Sequence, residues 1–209
     1  MTSQGIVFAL IREGTSDDAL VPLLQDMLVR QGLAEVAGQG RNYPGSTMER
    51  LEAICAEDAA VDLVFVHRDA DSRSSVERRQ EIAEAVMSLP ALTCPVVPVV
   101  PVQELEAWLL VDEAEIRRVA GRPRGGMDLG LPKLSAVEAT HSPKEVLRSA
   151  LALASPATGR RRDRQSARFG HQRRTLLERL DVDGPVRRLP AWRQLEEDIA
   201  VAAAQLLRG

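Results

Sequence analysis

The chain has 209 residues, 44% of them hydrophobic and 27% charged, with a formal net charge of −3. That length suits one or two compact domains with ample apolar material for a core, and the composition excludes a collagen-like repeat and wholesale disorder. Aromatic residues are only 3%, too few for a binding face built mainly on stacked rings. Cys55 and Cys94 form no CxxC pair and the three histidines lack helical ligand spacing, so neither a disulfide-dense scaffold nor a structural zinc site is expected. A reducing cytoplasm is the expected setting. No segment carries the length and flanks of a signal peptide or a membrane span; the run Ile6–Ile11 stops at Arg12-Glu13, and prolines break the run around Pro95–Val102.

In chain order, Ile6–Ile11 reads as a buried strand. Glu13-Gly14-Thr15-Ser16-Asp17-Asp18 then turns into a helix, with Thr15 and Asp18 as a capping box. Leu20, Leu23, Leu24, Met27 and Leu28 form its apolar stripe; Pro22 predicts a kink or a later start, and Gly32 a stop. A short strand is expected near Leu33–Ala37. Ser46 and Glu49 cap a second helix, with Met48, Leu51, Ile54 and Cys55 facing inward. Val61–Val66 is apolar apart from Asp62 and shows no alternation, the pattern of a strand covered on both faces in a parallel sheet. Ser74 with Glu77 opens a third helix ending near Leu89-Pro90, and Pro95–Val102 fits an edge strand.

The repeated βα pattern predicts an α/β core over residues 1–112, an open and mainly parallel sheet flanked by helices. Residues 113–209 read as a helical extension packed on that core. Asp112 with Glu115 caps one of its helices, Ser142-Pro143-Lys144-Glu145 starts another, and Leu189–Leu207 forms the last.

Charge is unevenly distributed. Residues 160–209 hold twelve arginines against seven acids, a net +5, which leaves −8 on the remainder. The densest stretch, 160–174, contains Arg160, Arg161, Arg162, Arg164, Arg168, Arg173 and Arg174. It can bind a phosphate backbone through counterion release, or simply solvate a helical surface.

Asp69 and Asp71 stand at the carboxyl end of the Val61–Val66 strand, and that edge of an open α/β sheet is where ligands bind. Carboxylate oxygens suit a hard cation, although aspartates also serve in turns and caps. The first strand also ends in an acid, Glu13, followed by Gly14. If the two strands are parallel, all three carboxylates meet at one edge, where they repel one another unless a cation is present. Asp17, one helical turn beyond Glu13, either joins them or supplies favourable charge at a helix N-terminus. Glu104 and Glu106 would share a face in a strand but point about 200° apart on a helix, so that only one could reach a site; Trp108 and Leu109–Leu110 favour Glu106. Lys144, at the second position of its helix, opposes the helix dipole by about 0.3–1 kcal/mol.

The segments "IVFALIREGTSDDALVPLL" and "DLVFVHRDADS" resemble the TOPRIM domain of topoisomerases, primases, a ribosomal-RNA maturase and the OLD-type nucleases. Its pattern is a glutamate and glycine after the first strand and a DxD after a later one. A proline-valine strand running into "ELEAWLLVD" and a later "PKEVL" helix resemble, more narrowly, a family of small bacterial TOPRIM-like proteins. The similarity covers about residues 6–150. It implies that Glu13 is a general acid/base or metal ligand and that Asp69 and Asp71 hold Mg²⁺ or Mn²⁺. The OLD-type pattern adds an acid at Asp17, a further acid at Glu104 or Glu106, and a lysine at Lys144 or Lys133. It further implies a metal-dependent nuclease acting on DNA or RNA, a role in bacterial defence, and a separately encoded ATPase as partner.

Two other readings stand beside this one. Asp69-Ala70-Asp71-Ser72 after a strand also resembles the nucleophile motif of HAD-type phosphatases, which normally follows the first strand. A non-catalytic module that binds nucleic acid or an ATPase would carry the same basic tail.

Overall fold

The computed structural model describes residues 5–57, 61–72, 74–156 and 168–208. Arg160, Arg161, Arg162 and Arg164 lie outside these residues. Four strands, β1 (Ile6–Ile11), β2 (Val36–Arg41), β3 (Leu63–His67) and β4 (Val96–Val99), form one all-parallel sheet in the order β2-β1-β3-β4. Successive side chains alternate between its faces, and both faces are buried. Phe8, Leu10, Leu63, Phe65, Val97 and Val99 join one hydrophobic cluster, while Ala9, Ile11, Val64 and Val66 join another. This explains the unbroken apolar runs of β1 and β3: a strand covered on both sides has no polar face to show.

The chain steps outward from β1 to β2, then returns past β1 to β3 and β4. Crossovers of one hand therefore place their helices on opposite faces. Helix α1 (Leu20–Arg30) packs on the first face; α2 (Thr47–Glu57) and α3 (Val76–Met87) cover the second. The later helices, α4 (Glu113–Val119), α5 (Pro143–Ala154), α6 (Phe169–Glu178) and α7 (Pro190–Leu206), all bury residues in the first cluster. Trp108 and Trp192 meet edge to face there, 5.0 Å apart and at 84°. The helical extension thus shares its core with the sheet. None of the described helices is long and apolar enough to cross a membrane.

Local structure follows the expected later helix start at Pro22 and departs from the sequence expectations in three other places. The chain makes a 3-10 turn at Thr15–Ala19 before α1, so Pro22 falls in the first turn of the helix, where its missing N–H costs little. The acid that closes this turn is Asp17, not Asp18: its carboxylate accepts the Gly14 N–H at 3.0 Å. Strand β2 starts at Val36 and runs to Arg41, because Leu33 is drawn into the core beneath α1 while Gly38 and Gly40 mute the strand pattern. Met48 is exposed; Thr47 is the buried residue of the first turn of α2, held by hydrogen bonds to Glu81 and Arg68. Two expected caps form as read, Ser46 with Glu49 and Asp112 with the Glu115 N–H.

Gly38 pairs in register with Phe8, and a Cβ added there would lie 2.0 Å from the end of the Phe8 ring. Overpacking of that kind costs about 1–3 kcal/mol. Urea unfolding of Gly38→Ala should show a loss in this range, whereas a change below about 0.5 kcal/mol would mean that the ring moves aside freely.

Candidate active site at the carboxyl edge

The order β2-β1-β3-β4 reverses the direction of winding between β1 and β3, and such a switch point opens a crevice beyond the strand carboxyl ends. Glu13 and Asp17 follow β1; Asp69 and Asp71 follow β3. All four stand at this crevice. The β3–β4 pairing continues irregularly beyond the strands, from the Arg68 N–H to the Val99 carbonyl, from Ala70 to Pro101 and from Asp71 to Gln103. The Gln103 N–H returns to the Ser72 carbonyl at 3.0 Å. Asp71 (φ 52°) and Gln103 (φ 63°), paired across this extension, are both left-handed. A glycine would adopt that backbone without strain, so the Asp71 carboxylate is held there at a conformational cost.

Two charged networks neutralise the edge. In the inner one, Arg173 of α6 reaches Glu106 Oε1 at 2.8 Å and Asp17 Oδ1 at 3.1 Å. Asp17 Oδ2 lies 3.4 Å from His67 Nδ1, and His67 Nε2 lies 3.5 Å from Asp69 Oδ1. The result is an alternating series, Glu106–Arg173–Asp17–His67–Asp69, whose first four members are all buried. Asp69 Oδ1 also accepts the Leu105 N–H at 2.9 Å. In the outer network, Arg68 donates to Glu13 Oε1 at 2.8 Å, to Thr47 at 2.6 Å and to Glu81 Oε1 at 2.8 Å. Arg78 joins Glu81 Oε2 at 2.7 Å to Asp71 Oδ2 at 3.3 Å.

Proton affinities follow from these contacts. Burial disfavours the charged imidazolium of His67, but Asp17 and Asp69 outweigh it and push its pKa up to about 9. Burial likewise opposes ionisation of Asp17, yet His67, Arg173 and the Gly14 N–H hold its carboxyl well below the usual range. Glu81 is also lowered: Thr47, Arg78 and Arg68 overcome its partial burial.

The sequence candidates separate accordingly. Glu13, Asp17, Asp69 and Asp71 share the edge. Glu106 points inward, 2% exposed, and serves as counter-ion to Arg173. Glu104 accepts the Lys144 N–H at 2.9 Å, capping α5 in place of Ser142, whose left-handed backbone makes no side-chain cap. The Lys144 side chain is exposed, as is that of Lys133. Arg173 is buried in its ion pairs, which corrects its assignment to a phosphate-binding face. Arg174 pairs with Glu178 on the surface at 2.8 Å, and Arg168 is exposed beside the start of α6. Glu81, Arg78 and Thr47 were missed. Arg78, Glu81, Ile82 and Ala85 recur at helical spacing, a signal that α3 turns charged residues to the same side as its apolar ones.

The carboxylate oxygens are the donors a hard cation prefers, and the backbone delivers them to one edge. Their side chains are turned to guanidinium groups, however. Among the described residues no three His, Cys, Asp or Glu side chains are grouped to hold a metal ion.

Removing one partner from a buried ion pair costs about 3–5 kcal/mol, because the remaining charge is stranded. Arg173→Met should be destabilised by that amount in denaturant unfolding, with part of the loss recovered when Glu106→Gln is added. The raised pKa of His67 gives a second expectation. Between pH 6.5 and 9 the folded chain holds a proton that the unfolded chain has lost, so stability is full below about 6.5 and falls as pH rises through 9. The fall attributable to this group is about 3 kcal/mol and should be absent in His67→Asn. An unchanged alkaline slope in that variant would assign the loss elsewhere.

Comparison of the chain with protein-family models, with curated proteins and with solved structures gives no match.

Proposed function

We propose that the chain is a metal-dependent phosphodiester-cleaving enzyme of the TOPRIM-like type, acting on nucleic acid. One observation carries this reading: Glu13 and the Asp69/Asp71 pair follow two adjacent, central, parallel strands and so lie on the same edge, at the switch point of the sheet. Glu13, Asp69 and Asp71 would hold a Mg²⁺ or Mn²⁺ ion. Such an ion, when bound, supplies an activated water and charge stabilisation at the leaving oxygen.

The chain's own residues account for the rest. Asp69 is oriented from behind by the Leu105 N–H and by His67, so that one oxygen is fixed and the other left for a ligand. Glu104, next to Leu105, accepts the Lys144 N–H in the first turn of α5, and Leu105 donates to Asp69. The exposed Lys144 ammonium would neutralise a phosphate oxygen. Arg160, Arg161, Arg162 and Arg164 would hold the nucleic-acid backbone without regard to sequence. A separately encoded ATPase partner and a role in bacterial defence rest on the TOPRIM-like resemblance.

Labelled DNA and RNA, single- and double-stranded, should be cleaved in Mg²⁺ or Mn²⁺ and spared in chelator. Asp69→Asn and Asp71→Asn should each abolish the cleavage; the exposed Asp71 variant should keep its melting temperature, whereas Asp69→Asn removes a counter-ion of the buried His67 and should melt lower. Full activity in both variants would overturn the reading. For the basic segment, alanine at Arg160, Arg161, Arg162 and Arg164 should weaken binding and flatten the dependence of log K on log salt by roughly one unit per lost phosphate contact. Fluorescence anisotropy at several salt concentrations measures it, and an unchanged slope would remove these arginines from the interface.

A further inference from the structure

The two outer edges of the sheet are finished differently, and this difference is independent of the metal reading above. In a parallel ladder every second residue of a strand turns its N–H and C=O to the same side. The Val64, Arg68 and Ala70 amides donate to Pro95, Val99 and Pro101, so the alternate residues of β4, Val96 and Pro98, face away from β3. Pro98 has no N–H to offer there, and α7 packs along β4. Arg79 of α3 meets Asp198 of α7 at 2.8 Å, joining the two helices that flank the strand. That edge is closed to further pairing.

Strand β2 forms the opposite edge and has none of these guards. The Ile6 and Arg12 amides donate to Glu35 and Arg41, which sets the odd-numbered residues toward β1. The N–H and C=O groups of Val36, Gly38 and Gly40 therefore point outward. No described residue hydrogen-bonds to these outward groups. The strand runs six residues without proline or lysine, and its Ala37 and Gln39 are exposed. A bare edge of this length is a template for a further strand.

We propose that the strand added there is β2 of a second copy, laid antiparallel about a two-fold axis through Gly38, so that the two sheets become one. In that register Val36 faces the partner's Gly40, and Gly38 faces its own counterpart. All of these are outward-facing residues, so each pair exchanges both of its hydrogen bonds. The ends of the strand select the occupant. Glu35 lies opposite the partner's Arg41, and Arg41 opposite the partner's Glu35, in the non-hydrogen-bonded pairs where opposed side chains come closest. A strand with an acid and a base equally far from its centre is complementary to its own reverse. The contact is isologous and closes at two chains.

Sedimentation equilibrium of the full chain is expected to show a monomer–dimer equilibrium; a monomer at every concentration, or assembly beyond the dimer, would overturn the proposal. Glu35→Arg sets arginine opposite arginine, and Arg41→Glu sets glutamate opposite glutamate, so each variant should dimerise at least about tenfold more weakly. The decisive sample is the mixture. Glu35→Arg combined with Arg41→Glu presents opposite charges at both ends and should form a mixed dimer of near-native affinity. Single variants that dimerise as well as the native chain, or a mixture no tighter than its components, would overturn the register and the proposal with it. Should Arg41→Glu fail to fold, hydrogen exchange of the native chain decides. The Val36, Gly38 and Gly40 amides should be protected at high concentration and exchange rapidly on dilution, whereas those of Ala37 and Gln39, bonded to β1, stay protected at both. Outward amides that exchange equally fast at both concentrations would overturn it. Neither readout needs a metal or a nucleic acid, so the dimer stands or falls separately from the proposed activity.

Discussion

Like charge forced to one place is the constraint on which this molecule turns. A parallel sheet points all its carboxyl ends the same way, so acids that follow β1 and β3 cannot avoid each other. Glu13, Asp17, Asp69 and Asp71 share one edge because the strands that carry them run parallel. Every other feature of the edge answers the repulsion that results. His67 stands between Asp17 and Asp69, Arg173 between Asp17 and Glu106, and Arg68 and Arg78 along the rim.

The two networks answer it differently. The inner series is buried and reaches across the chain, from α6 to the turn after β1 and then to the loop after β3. It joins the C-terminal helices to the edge in addition to the apolar packing that places them on the sheet. A buried ion pair is weak evidence for added stability, since well-packed apolar side chains often do as well. What the series does supply is position: Asp69 is oriented by groups that cannot move without stranding a charge. The rim network is partly exposed and can be rearranged at modest cost. The edge thus pairs a fixed carboxylate behind with adjustable ones in front.

The sequence made much of this legible. The apolar runs at Ile6–Ile11 and Val61–Val66 announced strands covered on both faces, and their terminal acids marked the edge. Glu13 and Asp69, over fifty residues apart in sequence, come to one sheet edge only through parallel pairing, which composition cannot display but a βα repeat implies. What stayed hidden was side-chain pairing. Arg173 looked like one arginine among seven in a basic segment, and nothing local distinguishes the one that is buried. Glu106 looked like a ligand because it faced inward, which it does, toward Arg173 instead. Glu104 and Lys144 meet through a backbone N–H, an interaction that leaves no trace in residue type. Glu81 was invisible because its role depends on where α3 lies against α2, a tertiary fact.

We propose that the carboxyl edge between β1 and β3 is a divalent-cation site. A crystal of the native chain soaked in Mn²⁺ and measured near the manganese absorption edge tests it directly. An anomalous peak is expected at the switch point, about 2.0–2.6 Å from carboxylate oxygens of Glu13, Asp69 and Asp71. A fully soaked crystal with no peak there would contradict it.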